Sequence, residues 1–106
     1  MEKKSAEKIH LRIHKSYRNM ISLCDSGILG KKFEEGKMQL DARENFYKGE
    51  ELDENEIVGV LKKQAIEDST FNIVGKKSVS AAIKAEIITK ENIGKVRGVP
   101  FALALL

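Results

Sequence analysis

The sequence predicts a single compact domain of the α/β (α+β) class, a small mixed sheet with two main helices. Three observations predict it. "KIHLRIH" alternates strictly, with Ile9, Leu11 and Ile13 to one side and Lys8, His10, Arg12 and His14 to the other, the period of a half-buried strand. Two later stretches change to a helical period, and short apolar runs such as "TFNIV" lie between and after them. The 106 residues suffice for one domain, and a chain of this length buries about 65% of its unfolded surface without needing a metal or disulfide.

The elements follow in order. Residues 1–8 read as a polar N-terminal tail and 9–106 as the globular domain. After the first strand, Lys15 to Asn19 form a bend and Met20 to Asp25 a second strand, with Ile21 and Leu23 buried. Asp25-Ser26-Gly27 signals a turn. Gly30 and Gly36 bracket "KKFEE", and Met38 and Leu40 alternate as a further strand. A helix starts near Asp53: Asp53 and Glu56 have capping-box spacing, Leu52 and Ile57 form a hydrophobic staple, and Ile57, Val60, Leu61 and Ala65 make the inner stripe. "TFNIV" is a buried strand, and a second helix follows Gly75 with Val79, Ala82, Ile83 and Ile87 inward. Thr89 to Asn92 turn tightly, and a last strand starts near Lys95, with Pro100 marking an edge or bulge.

Charge is unevenly distributed. Residues 1–37 carry nine basic and five acidic side chains, 38–70 four and nine, and 71–106 six and two, so a net of +4, −5 and +4 makes up the overall +3. Matched alternation and charge predict that the first and last strands share a sheet and merge the two basic blocks into one face. The N-terminus lacks the apolar run of a signal peptide, no stretch approaches the roughly 20 apolar residues of a membrane span, and Cys24 is the single cysteine. These features predict a cytoplasmic protein without internal disulfide or cysteine-based zinc cluster.

The residues offer little for catalysis. "NIVGKKSV" places a strand, Gly75 and two lysines ahead of helix amides, an arrangement suited to anions. A nucleotide-hydrolysing P-loop would need glycine where Thr70 stands and serine or threonine where Lys77 stands. The joint is thus either a weak phosphate contact or a turn whose lysines are solvated. His10 and His14 on a strand are about 13 Å apart, too far to share a metal. Cys24 reads as a small core residue, and Glu34, Glu35, Glu50, Glu51, Asp53 and Glu54 as a solvated face. Phe46-Tyr47 offers either a stacking platform or a core ring with a rim ring. The Lys8, His10, Arg12 and His14 face, extended by Lys15 and Arg18, either tracks a phosphate backbone or is a charged edge strand.

Cys24-Asp25, Leu29-Gly30-Lys31, Leu40, Phe46-Tyr47, Asn72-Ile73-Val74-Gly75 and Gly98-Val99-Pro100, in this order and spacing, resemble a small archaeal family known as domain of unknown function 424. Asp25, Gly30, Asn72, Gly75, Gly98 and Pro100 are the motif positions of most interest. Two departures stand out: a histidine usually follows Gly-Val-Pro, where this chain has Phe101, and a glycine usually ends the second helix, near Glu86. The resemblance implies an archaeal cytoplasmic protein with a compact α/β fold, no established activity, and an association with RNA or translation.

The expected function is a non-enzymatic RNA- or ribonucleoprotein-binding module without metal or cofactor. Its candidate contacts are Lys8, His10, Arg12, Lys15, Arg18, Lys76, Lys77, Lys95 and Arg97. The alternative is a protein–protein adaptor that uses the acidic middle segment and the apolar C-terminal tail.

Overall fold

A computed structural model describes residues 7–15, 17–64 and 68–106. The first six residues of the tail, Ser16 of the bend and Ala65 of the helix stripe lie outside the described residues. Strands β1 (Ile9–His14) and β2 (Asn19–Asp25) form an antiparallel hairpin whose register runs from Ile9 opposite Asp25 to His14 opposite Met20. A 3-10 turn, Ser26–Ile28, leads into the hairpin of β3 (Lys32–Glu35) and β4 (Met38–Asp41), which is a separate two-stranded sheet. A one-turn helix α1 (Glu44–Tyr47) and strand β5 (Glu50–Leu52) follow. Helix α2 (Glu54–Gln64) then crosses to β6 (Ser69–Val74), which pairs parallel with β2. Helix α3 (Lys76–Lys84), a 3-10 turn (Lys90–Asn92), β7 (Gly94–Val96) and β8 (Val99–Leu105) complete the chain. The main sheet has six strands in the order β5-β1-β2-β6-β8-β7, one of its pairs parallel and the rest antiparallel. This is a mixed sheet with two main helices, α+β as the sequence predicts.

Each local signal can be traced to its physical outcome. At α2 both capping-box bonds form: the Glu56 N–H donates to Asp53 Oδ1 at 2.8 Å, and the Asp53 N–H donates to Glu56 Oε1 at 3.1 Å. Ile57 and Leu61 are wholly buried and Val60 packs beside them. Val79 and Ala82 of α3 are buried, Ile83 packs at the margin, and Ile87 is buried just beyond the helix end. These side chains meet Ile9, Leu11, Ile21, Leu23, Phe71 and Ile73 on one face of the sheet. On the opposite face a smaller core of Cys24, Leu40, Ala42, Tyr47, Val74 and Val96 packs with Phe33, Phe46 and Phe101. Tyr47 is thus the core ring and the half-buried Phe46 the rim ring.

Three expectations need correction. The last strand is two strands: Arg97 (φ 55°) and Gly98 (φ 78°) reverse the chain in a two-residue hairpin turn between β7 and β8. Pro100 marks no edge, because β8 lies between β6 and β7. It is tolerated at the first rung beside β6, where its carbonyl accepts the Gly75 N–H at 2.8 Å and no proline N–H is required. The first and last strands do share a sheet, but β1 is second in its order, β8 fifth and β7, which carries Lys95, sixth, so β1 and β7 are about 19 Å apart at normal strand spacing. The two basic blocks therefore do not merge through the strands.

Candidate functional site

The parallel strands β2 and β6 end side by side, and α3 starts immediately after β6. Asp25 is the last residue of β2. Its Oδ1 accepts the Ser78 N–H at 2.8 Å and the Ser78 hydroxyl at 2.7 Å, and its Oδ2 accepts the Lys77 N–H at 3.0 Å. The amides at the start of α3, which the sequence offered to an external phosphate, are therefore capped by an internal carboxylate from another strand. At "NIVGKKSV" the Lys77 and Ser78 amides are thus occupied from within the chain, while the lysine side chains line the cleft. Gly75 permits the cap in two ways. Its φ of 112° with ψ of 158° is a region that only glycine adopts readily, and a Cβ there would collide with the Asp25 carboxylate. Asp25 is 4% exposed; burial pushes its carboxyl above the usual range, against the opposing pull of the Lys77 and Ser78 donors.

Above this cap lies a cleft of about 340 Å³, lined by Glu7, Asp25, Gly27, Ile28, Gly75, Lys76, Lys77, Gly98, Val99 and Pro100. Glu7 Oε2 accepts the Gly27 N–H at 2.6 Å. The walls are glycine backbone and small apolar surface, the floor holds two carboxylates, and the lysines stand at the α3 side. Asp25 has its oxygens committed to α3, so the geometry suits binding better than proton transfer. Cys24, adjacent to Asp25, is wholly buried, and burial pushes its thiol up to about 12, which keeps it protonated and poorly nucleophilic.

The basic candidates separate into three groups. Lys76 and Lys77 line the cleft, Arg97 precedes its Gly98, and Lys95 stands opposite Pro100. Lys8 lies at the same end, where its carbonyl accepts the Ser26 N–H at 2.9 Å. His10, Arg12 and His14 form no open face. The segment from Arg43 to Glu51 covers that side of β1, which is an interior strand between β5 and β2. His10 is 7% exposed, with Nδ1 at 3.1 Å from the Gly49 carbonyl and Nε2 at 3.5 Å from Glu51. Arg12 donates to the Asn45 carbonyl at 2.9 Å, and His14 stacks on Phe46 at 4.5 Å. Lys15 and Arg18 sit at the far end of the β1–β2 hairpin, where Arg18 meets Asp68 at 3.4 Å and the Leu106 carbonyl at 3.3 Å. No group of three or more His, Cys, Asp or Glu positioned for a metal occurs among the described residues.

Four of the six motif positions converge at the cleft: Asp25, Gly75, Gly98 and Pro100. Gly30 (φ 87°) lies outside it, its N–H on the Ala42 carbonyl, and Asn72 is half-buried within β6 between Ser22 and Leu103. A family model described as "Protein of unknown function (DUF424)" matches residues 13–105. The chain belongs to this family. The crystal structure of an uncharacterized conserved protein from Methanopyrus kandleri is similar to it, with a TM-score of 0.84 and 21% identity over 92% of this chain and 90% of that one. At this identity the likeness shows a shared fold. No curated protein matched.

The two departures from the DUF424 pattern now have structural settings. Phe101 points away from the cleft into the smaller core, its ring against Gly94 and in the cluster of Cys24 and Tyr47. Glu86 takes φ 63° just past the end of α3, the left-handed position that favours glycine. The sequence reading missed Glu7 and Ile28 of the cleft and Ser78 of its cap. Ser78 carried the one available signal, a hydroxyl in the first helical turn behind a glycine that cannot cap with a side chain.

Proposed function

We propose that this DUF424 protein is a non-enzymatic, cytoplasmic RNA- or ribonucleoprotein-binding module whose contact surface is the cleft end of the sheet. One observation carries the reading: Lys76 and Lys77 line a cleft walled in part by glycine backbone, and Lys8, Lys95 and Arg97 lie at the same end of the sheet, Arg97 beside Lys32 and Phe33. Glycine walls let a sugar–phosphate chain approach closely, and separate cations can follow its charges. An enzymatic role finds less support, because Asp25 is bound to α3 and Cys24 is buried. The wholly buried thiol is consistent with a reducing compartment. The adaptor alternative is favoured by one feature, the exposed leucines of the C-terminal strand.

Fluorescence titration of a single-stranded RNA at several salt concentrations tests the proposal. Four phosphate contacts give a log–log salt slope of about −3 on a single strand. Lys76→Gln with Lys77→Gln should weaken binding for every sequence and flatten the slope by about 1.5 units. Arg97→Asn, a residue that tolerates the positive φ, should act in the same direction. Arg12→Gln should change binding little, since its guanidinium is already held by Asn45. No binding at low salt, or an effect of Arg12→Gln equal to that of the paired lysines, would overturn the proposal.

A further inference from the structure

The backbone bonds of β8 determine which way each of its residues faces. The Pro100 carbonyl accepts from Gly75, and the Leu106 N–H donates to the Ser69 carbonyl at 3.0 Å. In an antiparallel ladder the bonding residues alternate, so 100, 102, 104 and 106 address β6, while 101, 103 and 105 address the opposite side. Strand β7 covers that side only as far as Phe101, opposite Gly94. The N–H and C=O groups of Leu103 and Leu105 therefore face an edge beyond the end of β7. Among the described residues, no backbone bond outside the ladders reaches either residue. The 3-10 turn Lys90–Asn92 passes beside β8, yet its bonds stay within residues 89–93.

The side chains on this stretch match the open edge. Leu103 and Leu105 are 64% and 76% exposed, while Ala102 is buried on the helix-covered face. Residues 102–106 read "ALALL", without the lysine, proline or inward charge that usually protects such an edge.

We infer that this edge pairs with a second copy of the chain, β8 against β8 antiparallel, about a two-fold axis at Ala104. Leu103 then stands opposite the partner's Leu105, and Leu105 opposite the partner's Leu103. Each pair exchanges both of its backbone bonds, the four exposed leucines meet on one face, and the two sheets become continuous. A second copy fits because Leu-Ala-Leu reads the same in both directions, so one symmetric register satisfies every open group at once. A charged partner strand would instead place its charge against leucine. The contact uses up the edge on both chains, so association stops at the dimer. With so short a strand pair it is weak and concentration-dependent.

Sedimentation equilibrium of the full chain, free of nucleic acid, should show the mass rising from 11.9 kDa towards twice that value as concentration increases. Amide hydrogen exchange by NMR gives the specific signature. The Leu103 and Leu105 amides should become protected as concentration rises, while Ala102 and Ala104 are protected throughout. Leu103→Lys with Leu105→Lys places like charges opposite each other on exposed positions and should leave a folded monomer. Leu103→Pro removes an N–H that donates nothing to β6 and should do the same. A monomer even at about 1 mM, the weak end of the affinity scale, would overturn the inference. So would a dimer whose Leu103 and Leu105 amides exchange unprotected, or one that survives the double lysine variant.

Discussion

Glu86→Gly should stabilise this protein, and the amount follows from the end of α3. Ala85 caps the helix, Glu86 follows at φ 63°, and two bonds close the turn: the Glu86 N–H donates to the Ile83 carbonyl and the Ile87 N–H to the Ala82 carbonyl, both at 2.9 Å. These are the paired bonds of a Schellman motif, whose left-handed position normally holds glycine. An L-residue there costs roughly 1–2 kcal/mol through crowding of Cβ against the following carbonyl. Glycine loses about 0.5–1 kcal/mol more chain entropy on folding, which offsets part of the gain. The Glu86 side chain is exposed, so its removal exposes no core. The net gain is about 0.5–1 kcal/mol, which raises the melting temperature by roughly 2–8 °C for a domain near this size. Thermal and urea unfolding followed by circular dichroism measure it. Lys62→Gly, at an exposed position within α2, is the opposing control and should cost about 1 kcal/mol. If Glu86→Gly leaves the melting temperature unchanged or lowers it, the left-handed strain is not what sets stability at this position.

The clasp at the cleft should respond differently. Gly75→Ala combines backbone strain with a collision on Asp25 and should cost about 3 kcal/mol or more, read from the urea midpoint. Ser78→Ala removes the hydroxyl donor and leaves Asp25 with two of its three donors, the Ser78 and Lys77 N–H groups, so an NMR titration should find the Asp25 carboxyl raised further, and stability should fall by about 1–3 kcal/mol. The Lys84 ammonium, bonded to Glu54 at 2.6 Å, holds the Glu54 carboxyl below its ordinary 4.5. Folding therefore favours the charged form, and this contribution is present above that value and lost as pH falls through the folded one. Glu54→Gln should flatten the acid side of a stability–pH curve, and a curve identical to the unsubstituted protein's would refute that linkage. Cys24 should resist iodoacetamide in the native protein and react once the chain is unfolded; rapid native labelling would show that the thiol is accessible.

Much of the architecture was legible because its signals are local. Asp53 and Glu56 are three residues apart, and both of their cap bonds form. The alternation of β1 correctly separated Ile9 and Leu11 from His10 and Arg12. It could not reveal what covers each side, and here the covering group is largely backbone: Asn45, Phe46 and Gly49 carbonyls over Arg12, His14 and His10. Helix α1 and strand β5, of four and three residues, are too short to carry a period. The Arg97-Gly98 turn lacked the Asn-Gly or Asp-Gly that announces a tight hairpin, so β7 and β8 read as one strand. At the candidate site, Gly75 was visible as a joint, but its occupant was not. Asp25 lies about half the chain away, and nothing in either segment names the other.

That separation has a kinetic consequence. Asp25 and Ser78 are 53 positions apart, so their bonds can form only after β2, α2 and β6 have closed the parallel crossover. Loop closure of this length is entropically costly and is recovered late, whereas the β1–β2 hairpin forms between near neighbours. The clasp is thus a latch on an assembled sheet rather than a seed for it. Loosening it should chiefly hasten unfolding and leave the folding rate nearly unchanged. Strengthening the clasp should accordingly lengthen the lifetime of the native chain more than it changes its speed of formation.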